Sequence, residues 1–99
     1  MEKEMTFKEG ELVGVPCTIQ LGPFPDEKLI TVETEDGPLS GFVKQANLLV
    51  TDDNSHGCVK GVVVESSTDS ITVKLFGSFF TTALGMASVR RNGLTRIAA

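Results

Sequence analysis

Apolar and polar side chains alternate along much of this chain. Ile30, Val32 and Thr34 fall on one face of the segment that starts at Leu29, and Thr31, Glu33 and Glu35 on the other, the period of a half-buried strand. Asp36-Gly37 follows as a hairpin turn, then Leu39-Ser40-Gly41-Phe42-Val43-Lys44 as the returning strand. Upstream, residues 10–20 are β-rich, with Pro16 expected at an edge or a bend. Gly22-Pro23-Phe24-Pro25-Asp26 reads as a loop, because two prolines remove two backbone donors and fix two φ angles. Downstream, Leu48-Leu49-Val50 predicts a short strand, residues 52–57 a linker, and residues 59–65 and 70–76 a second hairpin around Ser66-Ser67-Thr68-Asp69. Residues 78–86 fit a strand by their Thr and Phe, or a helical turn by Ala-Leu-Gly-Met. Asn92-Gly93 predicts a tight turn before the end. No stretch carries a helix period beyond one or two turns, so the expected class is all-β. The expected core is Leu12, Val15, Ile30, Val32, Val43, Leu48, Val62, Val64, Ile71, Val73, Val89 and Ile97.

The two halves share spaced residues. Gly10, Gly14 and Val15 return as Gly57, Gly61 and Val62 at a shift of 47, Ile30-Thr31-Val32 as Ile71-Thr72-Val73 at 41, and Val43-Lys44 and Leu48 as Val89-Arg90 and Leu94 at 46. The shift changes only in expected loops, where length changes are tolerated. The expectation is one unit spanning residues 1–99, with internal repeats at 6–51 and 56–98. Halves of about 45 residues are too small to hold separate cores and are expected to share one.

Phe7-Lys8-Glu9-Gly10-Glu11-Leu12-Val13 resembles the opening of Src-homology-3-like small β-barrels. Val32-Glu33-Thr34-Glu35-Asp36-Gly37 followed by Gly41-Phe42-Val43 resembles the hairpin of that family, and Lys44-Gln45-Ala46-Asn47-Leu48 sits where it has a short helical turn. The resemblance covers residues 6–51 and implies a small β-barrel. The chain departs from the family at the ligand groove. Polyproline-binding members line it with Tyr and Trp, and this chain has neither; Leu29 stands near the expected Trp, and residues 44–47 offer no Pro or Tyr. Such grooves pack aromatic faces on a preformed proline helix, so the resemblance implies a fold and no polyproline ligand.

Composition narrows the function classes. The 99 residues are 40% hydrophobic, and no apolar run approaches the ~20 residues of a membrane span. The start, Met1-Glu2-Lys3-Glu4-Met5-Thr6, has the pattern of neither a signal nor a transit peptide, which makes a cytoplasmic location the expectation. Cys17 and Cys58 are then expected as free thiols. The net charge of −4 is uneven: residues 1–53 hold four lysines against eleven acids, whereas residues 54–99 hold five basic residues against Glu65 and Asp69.

Reactive constellations are sparse. His56-Gly57-Cys58 offers two metal ligands with Cys17 as a soft third, short of the four that a structural zinc site uses. Glu33 and Glu35 share a strand face open to water, which leaves them ordinary carboxylates rather than acid–base groups. No phosphate-binding Gly loop precedes a helix. Neither a cofactor nor a metal is expected. Two surfaces remain. Phe79-Phe80 are adjacent, so in a strand one of them leaves the core; with Phe24-Pro25 they form the candidate protein-binding surface. Arg90, Arg91 and Arg96 form a basic cluster suited to nucleic acid. The sequence therefore predicts a non-enzymatic binding module for an unknown protein partner, monomeric or weakly dimeric, with a nucleic-acid or ribosome-associated barrel as the alternative.

Overall fold

The computed structural model describes residues 7–22, 24–50, 55–67, 70–80 and 85–97. Its described strands are β1 (Leu12–Leu21), β2 (Glu27–Thr34), β3 (Gly37–Lys44), β4 (Leu48–Val50), β5 (His56–Ser66), β6 (Ser70–Leu75), β7 (Ser78–Phe79), β8 (Met86–Arg90) and β9 (Thr95–Arg96). Short 3-10 turns at Gln45–Asn47 and Arg91–Gly93 precede β4 and β9. The strands form one antiparallel sheet in the order β7-β3-β2-β1-β5-β6-β8, with β4 added to β5 and β9 to β1. The sheet curls strongly into a half-barrel, and the Glu35 N–H reaches the Ser88 carbonyl at 2.9 Å, joining the β2–β3 hairpin to β8. No helix among the described residues is long and apolar enough to cross a membrane.

The centre of the sheet is the β1–β5 ladder, from Leu12↔Val62 to Thr18↔His56. Each of these strands also splits its other edge between two partners. β1 takes β9 at Val13–Gly14 and β2 from Cys17 onward; β5 takes β4 at Gly57–Val59 and β6 from Gly61 onward. Pro16, expected at an edge or a bend, is thus inside a central strand, where β1 changes partner from β9 to β2. Hydrogen-bonding directions alternate along a strand: Ile19 donates to Ser55 on the β5 side, and Leu12 accepts from Ile97 on the β9 side. Pro16 therefore directs its missing N–H to the gap between β9 and β2, where no partner strand requires one.

The two strand sets follow the same course. β1, β2, β3, a 3-10 turn and β4 match β5, β6, β8, a 3-10 turn and β9, and each set gives its last strand to the other. With the turns aligned at a shift of 46, Leu49↔Cys58 and Val50↔Gly57 coincide with Thr95↔Gly14 and Arg96↔Val13 only if β1 falls on β5 at a shift of 44. Ile19↔Ile30 then matches Val63↔Val73, a shift of 43 for β2 on β6. In the same alignment Ile30↔Gly41 falls on Val73↔Ala87, a shift of 46 for β3 on β8. Gly14 then lies at the place of Cys58 and Ile30 at that of Val73, whereas the sequence spacing pairs them with Gly61 and Ile71. Glycines and β-branched residues are too frequent in strands to fix such a register.

The core is a cluster of aliphatic side chains from both sets; Ile30, Val32, Val43, Ile71 and Val73 are fully buried, and Val15, Leu48 and Val89 join them. Val62 and Val64 do not lie there: Val63 is 1% exposed and Val64 39%. A run of three valines carries no alternation of its own, and pairing with β1 and β6 sets its phase. Leu12 and Ile97 are half-buried. The expected linker also shortens, since His56 and Gly57 open β5, while residues 51–54 lie outside the described residues. The ambiguous segment 78–86 provides β7 and the start of β8, with residues 81–84 outside the description, and the turn expected at Asn92-Gly93 is the 3-10 turn Arg91–Gly93.

Val63→Ala is expected to lower stability by about 1.5–3 kcal/mol, because it removes buried methyls and leaves a cavity. Val64→Ala stays within about 0.5 kcal/mol, as for an exposed site. Urea unfolding of the two variants measures both, and equal losses would contradict the assigned phase.

Candidate functional site

β7 lies along the outer edge of β3 through Gly41↔Phe79 and Phe42↔Ser78, and the Phe80 N–H extends the ladder to the Ser40 carbonyl at 3.0 Å. Successive side chains on a strand point to opposite faces, and the consequence is plain at this pair. Phe79 is 8% exposed, in the core, and Phe80 is 61% exposed. The close approach of Phe79 to β3 requires Gly41, where a Cβ would stand 2.7 Å from Phe79 Cδ1. Phe80 meets Phe42 edge-on, ring centres 5.3 Å apart, a geometry favoured by the ring quadrupoles. Leu29 pairs across from Phe42 on the same face, half-buried. One row over, Thr31 and Ser40 share a hydrogen bond at 2.8 Å. The exterior of β2, β3 and β7 thus carries an apolar strip ending in an open phenyl ring.

Of the expected protein-binding residues, Phe24 (62% exposed) and Pro25 sit in the β1–β2 loop, open to solvent. That loop is anchored by hydrogen bonds from the Glu27 N–H to the Phe24 carbonyl and from the Gln45 N–H to the Asp26 carbonyl. Phe79 is withdrawn into the core, which leaves Phe24, Pro25 and Phe80 as the accessible members. Sequence reasoning did not include Phe42, because only the β3–β7 register reveals that it supports Phe80.

The three arginines have different surroundings. Arg96 bonds to Glu11 and lies over the Phe7 ring, its guanidinium carbon 5.0 Å from the ring centre. The Glu11 carboxyl is held below its usual range by the Lys8 backbone N–H and by the Arg96 guanidinium. Arg91 donates to the Ser67 carbonyl. Arg90 is exposed on β8. It lines a groove of about 660 Å³ at the fork of β1, together with Pro16, Glu33, Thr34 and Glu35.

The groove also reaches Cys17, which is buried; desolvation, with the neighbouring Cys58 adding to it, pushes its thiol up to about 12. A thiol so disposed is protonated at neutral pH and a poor nucleophile. Both cysteines are free. Their register explains this: Cys17 lies opposite Gly57 and Cys58 opposite Pro16, so alternation sends the two side chains to opposite faces. His56 is exposed, with Nδ1 3.1 Å from the Ser55 hydroxyl. Among the described residues no three His, Cys, Asp or Glu side chains gather closely enough to hold a metal ion.

No protein-family model matches the chain, and neither the curated proteins nor the solved structures compared with it give a match. Its functional reading therefore rests on its own geometry.

A thiol-reactive dye near pH 8 is expected to label Cys58 readily and Cys17 only on unfolding. Because the Cys17 pKa is raised on folding from 9.0, its contribution to stability is complete below pH 9 and is lost as pH rises toward 12. Rapid labelling of Cys17 in the folded protein would contradict its burial.

Proposed function

We propose that the chain is a non-enzymatic protein-interaction module, built from two Src-homology-3-like repeats that exchange their last strands. The matched pairing of the two strand sets and the 3-10 turn before each final strand support this architecture. The observation that carries the functional reading is the Phe42–Phe80 pair on the outside of the sheet. A large ring whose backbone is bonded to β3 and whose edge already rests on Phe42 loses less conformational freedom when a partner covers it than a free one would, which is how aromatic anchors contribute to interfaces. Phe24 and Pro25 add a second apolar element at the β1–β2 loop. The partner is a protein with an apolar surface and not a proline helix, since no Trp or Tyr is available to clamp one.

The nucleic-acid reading is less favoured. Arg91 and Arg96 are engaged with Ser67 and with Glu11 and Phe7, and a phosphate contact would compete with those bonds. Arg90 shares its groove with Glu33 and Glu35, whose charge repels phosphate.

Phe80→Ser and Phe24→Ser are each expected to change stability by less than about 0.5 kcal/mol and to reduce partner capture from lysate at least fivefold, about 1 kcal/mol at an interface anchor. Circular dichroism checks the fold and quantitative capture checks binding. Undiminished capture by both variants would sink this reading. Titration with RNA at low and high salt is expected to give no strongly salt-dependent complex; a steep fall in affinity with salt supports the alternative.

A further inference from the structure

The two strand sets differ in one respect. The chain leaving β6 continues through Phe76 and Gly77 into β7, which covers the outer edge of β3. The chain leaving β2 turns back at Glu35-Asp36, and among the described residues the Glu35 N–H donates the backbone hydrogen bond that reaches the matching edge of β8, at Ser88. By the shifts already derived, Glu35 corresponds to Ser78 and Ser88 to Phe42. The Glu35–Ser88 bond is therefore the first rung of a ladder that β7 completes on β3 and that, among the described residues, stays incomplete on β8.

A hollow of about 320 Å³ lies in this seam, lined in part by Thr34, Pro38, Leu39, Met86, Ala87 and Ser88. Ser40 accepts from Phe80 at the outer edge of β3, so Pro38, two residues before it, also faces outward and offers no N–H toward β8. That keeps β3 and β8 from zipping together. Leu75 donates to Gly85 on the β6 side, so the alternate position, Met86, turns its N–H and carbonyl into the seam.

We propose that this seam accepts an extended peptide segment of a partner protein, which adds to β8 as β7 adds to β3. β7 is the template for its chemistry. Phe79 enters beside Gly41 and Gly85, where a Cβ would stand 2.7 Å and 3.7 Å from its ring. The corresponding positions on the β8 side are Ala87 and Leu39, whose side chains narrow the slot, so the inward residue is of valine size and not aromatic. Asp36 lines the seam, and Glu33 and Glu35 line the groove beside it, against Arg90; the segment is therefore basic. This rests on the reading of the chain as a protein-binding module of two like repeats, but it places the segment away from Phe42 and Phe80.

The test titrates the isotopically labelled full chain with acetyl-Lys-Thr-Val-Thr-Lys-amide, and separately with the same peptide carrying glutamate for both lysines. The lysine peptide is expected to shift the amide signals of Leu39, Met86, Ala87 and Ser88 saturably, and the glutamate peptide to leave them in place. Glu35→Lys keeps the backbone bond to Ser88 and weakens binding about threefold to tenfold. Met86→Pro removes one outward N–H without touching the β6 ladder and abolishes binding; should it not fold, Glu35→Lys alone decides. Phe80→Ser leaves the titration unchanged, so failure of the seam and failure of the aromatic face are read separately. Absence of seam shifts, equal response to both peptides, full binding by folded Met86→Pro, or no weakening in Glu35→Lys overturns the proposal. So do seam shifts that grow with protein concentration alone, which would place a second copy there.

Discussion

The antiparallel ladder between β1 and β5 is the constraint on which the other strands depend. Leu12–Thr18 and His56–Val62, far apart in sequence, pair along it, and β9, β2, β4 and β6 all attach to the other edges of these two strands. Each strand set gives its last strand to the other, so neither closes its own edge. The buried side chains follow the same logic: Val15 and Val59 face each other across the ladder, and the core around them draws on both sets. About 45 residues hold too little apolar surface to offset the loss of chain entropy, and the buried cluster here draws on residues from Phe7 to Leu94.

Proline and glycine determine where this sheet stops pairing. Pro16 occupies the gap at which β1 passes from β9 to β2, and Pro38 removes a donor on the β3 edge that faces β8. Gly41 allows β7 to press its phenylalanine into the core beside β3. One seam is covered by β7 and the other retains a single described backbone bond between Glu35 and Ser88. The difference is local in sequence, a strand that bends and continues against a strand that turns back, and among the described residues it leaves the β8 edge less paired than the β3 edge.

The polar and reactive side chains are dispersed over the fold. Cys17 is protonated by burial, Cys58 faces away from it, and His56 stands at a strand end beside a serine hydroxyl. The side chains with binding capacity are apolar rings on the sheet exterior and a few carboxylates opposite Arg90. Arg96 contributes to structure, joining Phe7 and Glu11 at the β1–β9 edge.

Alternation at Leu29–Thr34 and in residues 39–44 and the Asp36-Gly37 turn were readable from local pattern, because period and turn chemistry act over a few residues, whereas the helical turn before Leu48 came only from the family resemblance. The opposite fates of Phe79 and Phe80 were readable too, since neighbours on a strand take opposite faces. The phase of Val62-Val63-Val64, the shifts relating the two strand sets, the central place of Pro16 and the Phe42–Phe80 contact were not. Each depends on which distant strand lies alongside, and a uniform apolar run or a frequent glycine leaves that choice open until the β1–β5 register is formed.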